Sequence, residues 1–427
     1  MIAQVKAEPY WWEAAPRPDG DDIPLPARVD VVVIGAGFTG LSAALTLARA
    51  GRSVHVLEKD RPGEGASSRN GGIASGNLYT SFSGAIKRFG LEQAKTIFAE
   101  GREARADLAR FITDEQIDCD WDPVGRFTGA MNVKHYDRQA REAELLNRHA
   151  NYEDYMVTRA EQHTEVGSDL YHGGLVRPDI AGVHPGKLHL GMLARAEQAG
   201  ATIHPRTPMR SFRRESDDFA VVTDRGTIRA RHLIVATNGY TGGALPWLQR
   251  RIVPIPSQVI STEPLPTDTM DRLMPKRRML GETRSLYHYY RPSPDGRAII
   301  FGGRQGATTA DHRIKRARLT RRLVEIFPDL EGVEISHTWS GYTGFTFDFM
   351  PKLVVHDGAH YAAGFCGSGV VWARWLGAKA AQDIIGNAPA QTVFRAADFK
   401  TRPLYRGRPW FLPLAMGWYH VNDWLGR

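Results

Sequence analysis

The most constraining feature of the sequence is a glycine pattern that directly follows an apolar strand. The run Val29 to Ile34 suits a parallel strand buried on both faces, and Gly35, Gly37 and Gly40 follow it with G-x-G-x-x-G spacing. Gly35 makes the tight turn, Gly37 lets the backbone approach a pyrophosphate because it has no Cβ, and Gly40 lets the next helix pack closely on the strand. The pattern predicts phosphate binding at the N-terminus of a helix over residues 39 to 50.

The residues after this helix complete a nucleotide-binding unit. Gly51 ends the helix, and Ser53 to Leu57 forms a second strand that ends in Glu58, whose carboxylate can accept hydrogen bonds from ribose hydroxyls. An acid at this position argues against a 2′-phosphate. Because strand, glycines, helix, strand and acid occur in this order within about 30 residues, the sequence predicts a bound adenine dinucleotide. The unit alone leaves FAD and NAD both open.

Length and composition limit the class of protein. The 427 residues can bury a large core and predict two domains or one domain with a substantial insertion. Cys119 and Cys366 are far apart and lack metal-ligand spacing, so we expect no disulfide framework, no metal site and a reducing, cytoplasmic location. The net charge of +8 comes from scattered arginines, so no nucleic-acid partner is expected. No apolar run is long enough for a membrane span, and the N-terminus predicts an extended arm, not a signal peptide.

A second glycine-rich segment, residues 63 to 77, follows the second strand. Its sequence, GEGASSRNGGIASGN, brings backbone amides, the hydroxyls of Ser67 and Ser68 and the guanidinium of Arg69 into one loop. These groups can donate hydrogen bonds to phosphate, ribitol or ring acceptors. A flexible surface loop is the alternative interpretation of the same composition.

The rest of the chain alternates helical and strand patterns. Helices are predicted near residues 83 to 100, 102 to 114 and 137 to 147, and an amphipathic helix follows VHPGKL at residues 183 to 188. The run HLIVATNGY, residues 232 to 240, predicts a buried strand that ends in a glycine turn. Residues 362 to 385 predict a strand, a glycine turn and a helix.

Together these segments resemble the D-amino-acid oxidase and sarcosine oxidase superfamily of FAD flavoproteins, and they occur in its order. More closely, the chain is similar to the gamma-glutamylputrescine oxidase branch. That similarity extends over essentially the full length and is carried by IDCDW (117 to 121), SQVISTEPL (257 to 265), YHYYRPSPDGRAIIFGGR (287 to 304), FPDLEGVEISHTWSGYTGFTFDFMP (327 to 351) and the aromatic C-terminus.

The resemblance implies an α/β (α+β) fold with two interleaved lobes. A Rossmann-like FAD-binding lobe would comprise residues 1–115, 171–245 and 346–395. A substrate lobe built on a mixed, mostly antiparallel sheet would comprise residues 116–170 and 246–345. Residues 396–427 would form an aromatic tail that packs on the protein.

The resemblance also implies which residues bind FAD. They come from the first glycine turn, the 63–77 loop, the ATNGY strand end, the neighbourhood of residue 209 and the late glycine turn. They are Gly35, Gly37, Phe38, Thr39, Gly40, Glu58, Lys59, Ala66, Ser67, Ser68, Arg69, Asn70, Gly71, Gly72, Met209, Ala236, Asn238, Gly239, Gly364, Gly367, Ser368, Gly369 and Val370.

The same segments imply an amine site with aromatic walls. The candidate catalytic residues are Tyr287, His288, Trp339, Tyr342 and Trp372, with Tyr289 and Phe345 as further wall candidates. Ordinary core packing is the alternative role for each aromatic residue. His288 and Asp348 are candidates for deprotonating or orienting the amine, and a structural role is the alternative. Arg69, Arg291 and Arg304 are candidate partners for a distal carboxylate.

Three departures from the wider family bear on chemistry. Where amino-acid-oxidising relatives carry bases for the α-carboxylate, this chain has Thr343, Gly367 and Val371, so we expect no carboxylate clamp there. Ser340 stands where sarcosine oxidases attach FAD through cysteine, so noncovalent FAD is expected. The lysine that activates dioxygen in those oxidases falls near Ile300, so O2 and another electron acceptor both stay open.

The resemblance therefore implies FAD-dependent oxidative deamination of a small-molecule amine. Gamma-glutamylputrescine or a similar N-acylated diamine would give an aldehyde, ammonia and hydrogen peroxide. One alternative is an oxidase or dehydrogenase of a sarcosine-like secondary amine. Another is a noncatalytic flavin-binding subunit. The oligomeric state stays open.

Overall fold

The computed structural model describes residues 5–306, 308–309, 311–386, 388–396 and 399–426. Its helices are α1 (Trp11–Ala14), α2 (Phe38–Arg49), α3 (Phe82–Phe89), α4 (Leu91–Asp114), α5 (Val133–Ala150), α6 (Pro185–Gln198), α7 (Pro246–Gln249), α8 (Thr267–Leu273), α9 (His312–Ile326), α10 (Gly369–Gly386) and α11 (Leu412–Trp424). Its strands are β1 (Arg28–Ile34), β2 (Val54–Leu57), β3 (Ile73–Ala74), β4 (Arg126–Gly129), β5 (Tyr155–Val157), β6 (Gly174–Arg177), β7 (Ala181–Gly182), β8 (Thr202–His204), β9 (Met209–Glu215), β10 (Asp218–Thr223), β11 (Gly226–Val235), β12 (Val253–Thr262), β13 (Met279–Glu282), β14 (Tyr289–Pro292), β15 (Ile299–Gly303), β16 (Ile335–Phe345), β17 (Lys352–His356) and β18 (Ala359–Ala363).

The first sheet contains the glycine unit. Its order is β17-β18-β11-β1-β2-β8, and the β9–β10 hairpin pairs with β11. Strand β1 pairs in parallel with β2 on one side and with β11 on the other. The chain therefore continues to opposite sides of β1, and the first glycine turn lies at this switch point, where ligands bind in open α/β sheets. Val31, Val32 and Val33 are fully buried, as a strand covered on both faces requires.

Helix α2 packs directly against the glycine turn. A Cβ on Gly40 would lie 1.8 Å from the carbonyl oxygen of Gly35, so no larger residue fits there. Gly35 itself has a φ of +103°, which makes the tight turn after β1. The βαβ unit predicted from residues 29 to 58 is therefore present, with β1, α2 and β2 in order.

The second sheet is mixed and mostly antiparallel. Its order is β16-β12-β15-β14-β13-β4-β6-β5, and the pairing of β13 with β4 is the parallel one. The longest pairing joins β12 and β16 over ten register positions from Val253↔Phe345 to Thr262↔Ile335. A small third sheet pairs β3 with β7. The predicted α/β (α+β) class, with a Rossmann-like sheet and a mixed, mostly antiparallel sheet, is confirmed.

Three local features differ from the sequence patterns. The break between the two early helices lies at Gly90, whose φ is +82°, and α4 then continues unbroken through Gly101. Strand β6 belongs to the second sheet, although it follows residue 171, where we expected the FAD-binding lobe to resume. The C-terminal segment forms α11, which buries Leu412 and Met416 but leaves other apolar side chains exposed. The proposed lobe boundaries stay a prediction.

Candidate functional site

One large cavity of about 1020 Å³ lies where the first sheet meets the second. Its lining comes from the first glycine turn, the 63–77 loop, the end of β11, the late glycine turn, and strands β4, β12, β13, β14, β15 and β16. One end is therefore built from the nucleotide-binding unit and the other from the second sheet.

The nucleotide end of the cavity has the groups that an adenine dinucleotide needs. Helix α2 begins after Gly37, which has no capping side chain; the amide of Phe38 donates to Ser67 Oγ (2.9 Å), so the helix N-terminus and the Ser67 hydroxyl lie together where a phosphate would bind. A Cβ on Gly37 would lie 2.9 Å from Ser67 Oγ, so any larger residue would displace the Ser67 hydroxyl. The Glu58 carboxylate lines the cavity and accepts hydrogen bonds from the amides of Ala36 (2.8 Å) and Asp60 (3.1 Å). Burial raises the pKa of Glu58.

The 63–77 loop is held in place from behind by aromatic side chains. Trp11 Nε1 donates to the carbonyl of Asn70 (2.8 Å), and Trp12 Nε1 donates to Ser68 Oγ (2.8 Å). Trp339 Nε1 donates to the carbonyl of Arg69 (2.8 Å). The loop is therefore fixed by side chains from α1 and β16, and the flexible-loop interpretation does not describe it.

The late glycine turn is linked to the end of β11. Asn238 Oδ1 accepts a hydrogen bond from the amide of Gly364 (2.9 Å), and a Cβ on Gly239 would lie 2.9 Å from the amide of Gly344. Gly364 and Gly367 have φ values of +79° and +106°. These contacts bring the start of α10 to the cavity between the two sheets.

Most of the predicted FAD-binding residues line the cavity. They are Gly35, Gly37, Phe38, Thr39, Glu58, Lys59, Ala66, Ser67, Arg69, Asn70, Gly71, Met209, Ala236, Asn238, Gly367, Ser368, Gly369 and Val370. The other five predicted residues do not line the cavity but lie next to residues that do. They are Gly40, Ser68, Gly72, Gly239 and Gly364.

The candidate catalytic residues divide into two groups. Tyr287 and Tyr342 line the cavity, as does Tyr289. Trp339 and Trp372 are almost fully buried behind the wall, and Trp372 Nε1 donates to the carbonyl of Asn77 (3.2 Å). These two tryptophans therefore support loops that face the cavity and do not line it themselves.

His288 also lies behind the wall. Gln305 Nε2 donates to His288 Nε2 (3.1 Å), so Nδ1 carries the proton and donates to Glu282 Oε1 (2.6 Å). The His288 ring stacks on Phe301 with 5.2 Å between centroids. Asp348 is outside the cavity lining and forms an ion pair with Lys352 (2.5 Å). Although burial raises its pKa, the hydrogen bond and charge of Lys352 outweigh this, and the pKa of Asp348 is lowered.

Two of the three candidate arginines are used structurally. Arg291 is buried and Nη1 donates to the carbonyls of Gly72 (2.6 Å) and Val183 (2.9 Å), which holds the end of the glycine-rich loop. Arg69 Nε donates to the carbonyl of Glu64 (2.6 Å), and its guanidinium lies 4.5 Å from the Trp12 ring.

Arg304 is the third candidate, and it lines the cavity. Its guanidinium lies 5.1 Å from the ring centroids of both Tyr287 and Phe345. Among the residues that the structure describes, no acid pairs with it. A positive charge is thus present near the segment where Thr343 replaced a family base, although it comes from the end of β15 instead.

Sequence reasoning missed a second unpaired arginine, Arg126 on β4. Its guanidinium packs against Gly281 of the neighbouring strand, where a Cβ would be 2.2 Å from Nη2. Nε is fully buried without a hydrogen-bond partner, and no described acid pairs with the side chain. Burial lowers the pKa of Arg126, an effect that the nearby Tyr287 partly offsets. No sequence signal marked this residue, because Gly281 is far away in the chain.

The two remaining departures are also located. Ser340 is on β16, where its carbonyl lies 3.4 Å from Arg69 Nη1, and Cys366 lines the cavity as a buried thiol whose pKa burial raises to about 11. Ile300 is buried against Trp11 and Trp339. Among the described lining residues the one lysine is Lys59, at the nucleotide end.

Comparison with known proteins gives consistent matches over most of the chain. The family model "FAD dependent oxidoreductase" (DAO) matches residues 30–382. The gamma-glutamylputrescine oxidoreductase of Escherichia coli K12 is 33% identical over 406 residues, which cover 93% of both chains. A probable oxidoreductase OrdL of Rhizobium meliloti is 30% identical over 417 residues, 97% of both. The crystal structure of glycine oxidase from Geobacillus kaustophilus superposes with a TM-score of 0.73 at 21% identity, covering 88% of this chain and 99% of that one.

No helix in the described ranges combines the length and apolar character needed to cross a membrane. The cytoplasmic location expected from the cysteine content remains a prediction.

Proposed function

We propose that this chain, which belongs to the DAO family of FAD-dependent oxidoreductases, oxidises a primary amine that ends in an α-amino acid head group, most specifically gamma-glutamylputrescine. Family membership confirms that the cofactor is FAD and that the chain is an enzyme acting on CH–NH or CH–NH2 donors. A noncatalytic flavin-binding subunit is not favoured by this membership.

The observation that carries the proposal is the unpaired guanidinium of Arg126 at the cavity wall. Arg126 is half-buried, and its Nε is fully buried without a hydrogen-bond partner. Partial desolvation of an unpaired cation is costly, and a carboxylate ligand offsets that cost by accepting charge-assisted hydrogen bonds. Glu282 follows Gly281, on which Arg126 packs, and also lines the cavity. The Arg126 cation suits the α-carboxylate at the glutamyl end of gamma-glutamylputrescine, whereas the carboxylate of Glu282 is fully buried and already bonded to His288 and Arg284.

The spacing within the second sheet supports the same substrate. The ring of Tyr289 on β14 packs on Gly71 of the glycine-rich loop, where a Cβ would lie 2.5 Å from Cε2. The same ring lies over Gly302 on β15, and the Arg126 guanidinium lies over Gly281 on β13. These two glycines pair with Tyr289 from opposite sides of β14, so the two groups are two strands apart, about 10 Å at the usual strand separation. In extended gamma-glutamylputrescine, eight bonds separate the amine-bearing carbon from the glutamyl α-carbon, roughly 9 Å. One molecule can therefore reach both positions.

The reacting end needs orientation more than acid–base assistance. FAD supplies the acceptor for a hydride from the carbon next to the amine nitrogen. Tyr287, Tyr289 and Tyr342 provide the walls that confine the alkylamine. Among the described lining residues the acids are Glu58, Asp60 and Glu282, the first two at the nucleotide end and the third bonded to His288. The amine therefore binds as the free base, and loss of hydride and a proton leaves an imine that water converts to aldehyde and ammonia.

A second candidate function has its own supporting observation. Arg304 lies beside Tyr287 and Phe345 without an acidic partner, and it would suit a carboxylate close to the reacting carbon. A secondary N-alkyl amino acid such as sarcosine would carry its carboxylate there. Arg304 therefore supports a sarcosine-like substrate in the same way that Arg126 supports gamma-glutamylputrescine.

Anaerobic mixing of the purified flavoprotein with single amines tests the proposal. Gamma-glutamylputrescine should bleach the flavin absorbance fastest, putrescine should do so slowly, and sarcosine should have little effect. Faster bleaching by sarcosine would replace the proposal with the second candidate. Admitting air to the bleached enzyme then distinguishes O2 from another acceptor, since rapid return of colour with hydrogen peroxide requires O2.

A further inference from the structure

The C-terminal helix α11 packs on the protein by one face. Leu412 and Met416 are buried against Leu286. The carboxylate of Asp423 accepts hydrogen bonds from the amides of Ser285 (2.6 Å) and Leu286 (3.2 Å). These contacts give the helix a fixed orientation on the second-sheet side of the molecule.

The opposite face of α11 is apolar and exposed. Leu414, Trp418, Val421 and Leu425 recur at intervals of four, three and four residues, which places them on one stripe of the helix. Their exposed fractions are 74%, 62%, 48% and 47%, and the neighbouring Trp424 is 84% exposed. With Trp410, also 61% exposed, they form what we call the outer apolar face. Soluble monomers rarely expose a contiguous apolar surface of this kind, so something covers it.

The charge of the terminal segment indicates what covers it. Residues 399–427 contain five basic residues and one acid, Asp423, whose carboxylate is turned toward the protein. Lys400, Arg402, Arg406 and Arg408 are all exposed. Tryptophan and leucine beside exposed basic side chains are typical of helices that lie in the headgroup region of a bilayer. A second copy fits less well, because it would bring two basic segments together on chains of net charge +8.

We propose that the outer apolar face docks on the surface of an anionic lipid bilayer. Trp410, Trp418 and Trp424 insert at the level of the headgroups, and the exposed basic side chains attract anionic lipids. The protein is held at the surface by this helix and no part of it needs to cross the membrane. The inference is independent of the substrate.

Co-sedimentation of the full-length, FAD-loaded protein with vesicles tests this docking. Vesicles that mix phosphatidylglycerol with phosphatidylcholine should pull down the protein, and pure phosphatidylcholine vesicles should do so much less. The double variant Leu414→Ser/Trp418→Ser should lose binding by about tenfold or more, because two apolar side chains no longer insert. Ile314→Ser removes an apolar side chain that is 54% exposed on α9, and it should bind as the unmodified protein does.

Flavin absorbance and thermal unfolding of each variant establish that it is folded. Tryptophan emission should shift to shorter wavelength on vesicle addition and should not shift in the double variant. Equal sedimentation of both variants would overturn the proposal. The proposal would also be overturned if the protein does not bind vesicles and forms a dimer that the double variant Leu414→Ser/Trp418→Ser converts to a monomer. The outer apolar face would then be assigned to a second copy of the chain.

Discussion

Replacing Arg126 by methionine should selectively weaken substrates that carry a distal carboxylate. Arg126→Met keeps the length of the apolar stem and removes the guanidinium that packs on Gly281 and lines the cavity. In gamma-glutamylputrescine the glutamyl carboxylate would then face an apolar wall.

The magnitude follows from the geometry of the site. A hydrogen bond to a charged group contributes about 1.5–3 kcal/mol. Because Arg126 is half-buried with a fully buried Nε, solvent screens the pair only partly. A loss of about 2–3 kcal/mol corresponds to a roughly 30- to 150-fold decrease in kcat/KM.

The assay compares two substrates that differ only in the carboxylate. Gamma-glutamylputrescine has it, whereas 4-aminobutanoyl-putrescine keeps the amide and the distal amine but lacks it. The variant should lose the full factor with the first substrate and change by less than about threefold with the second. Arg148→Met, which removes an exposed arginine paired with Glu144, is the matched control and should leave both values unchanged.

Stability provides a further readout. Because Arg126 has no acidic partner among the described residues, its removal should leave Tm unchanged or raise it. An equal loss of kcat/KM with both substrates, accompanied by a lower Tm, would refute the reasoning and assign Arg126 a structural role.

Four further predictions concern the cofactor and the fold. Gly37→Val should yield protein largely without FAD, because a branched side chain would keep the backbone away from the pyrophosphate and displace the Ser67 hydroxyl. The ratio of flavin to protein absorbance measures this, and Gly386→Ala, where the added Cβ meets open space, should keep its FAD. Acid precipitation should leave the yellow colour in the supernatant, because Ser340 stands where the resemblance to sarcosine oxidases places their attachment cysteine, and the Cys366 thiol, with a pKa of about 11, stays protonated. A yellow pellet would contradict noncovalent binding. Trp11→Phe should lower the free energy of unfolding by about 1–3 kcal/mol and weaken FAD binding, because the hydrogen bond to the carbonyl of Asn70 is lost and a void remains. An unchanged free energy of unfolding in denaturant titrations and an unchanged affinity in FAD titrations would argue against loop support by α1. Asp348→Asn should destabilise the protein at pH 7, because the lowered pKa of Asp348 means that its ionised form stabilises the fold above about pH 4. In thermal melts, the difference in Tm between the variant and the unmodified protein should narrow as the pH falls below that value.

The parts of this protein that sequence reasoning located are those formed by residues close together in the chain. The βαβ unit is such a case, because the glycine spacing, the apolar strand and Glu58 lie within one short segment. The late glycine turn before α10 was found for the same reason. Both needed only local geometry and the steric freedom of glycine.

The parts that were missed depend on pairing between distant segments. Arg126 reaches the cavity because β4 pairs with β13, which brings Gly281 beside it, and neither short strand indicates that register. The support that Trp11 and Trp12 give to the 63–77 loop likewise joins the N-terminal arm to a segment about fifty residues later. The early helix break lies at Gly90 and not near residue 101, since Gly90 adopts a positive φ and Gly101 does not.

The central claim is that the cavity recognises an α-amino acid head group at a distance from the reacting amine. The most direct test is the rate of flavin reduction under anaerobic stopped flow, with gamma-glutamylputrescine and 4-aminobutanoyl-putrescine offered separately to the unmodified enzyme. The account predicts that gamma-glutamylputrescine reduces the flavin with a second-order rate constant at least about 30-fold higher. Equal rate constants for the two amines would contradict it.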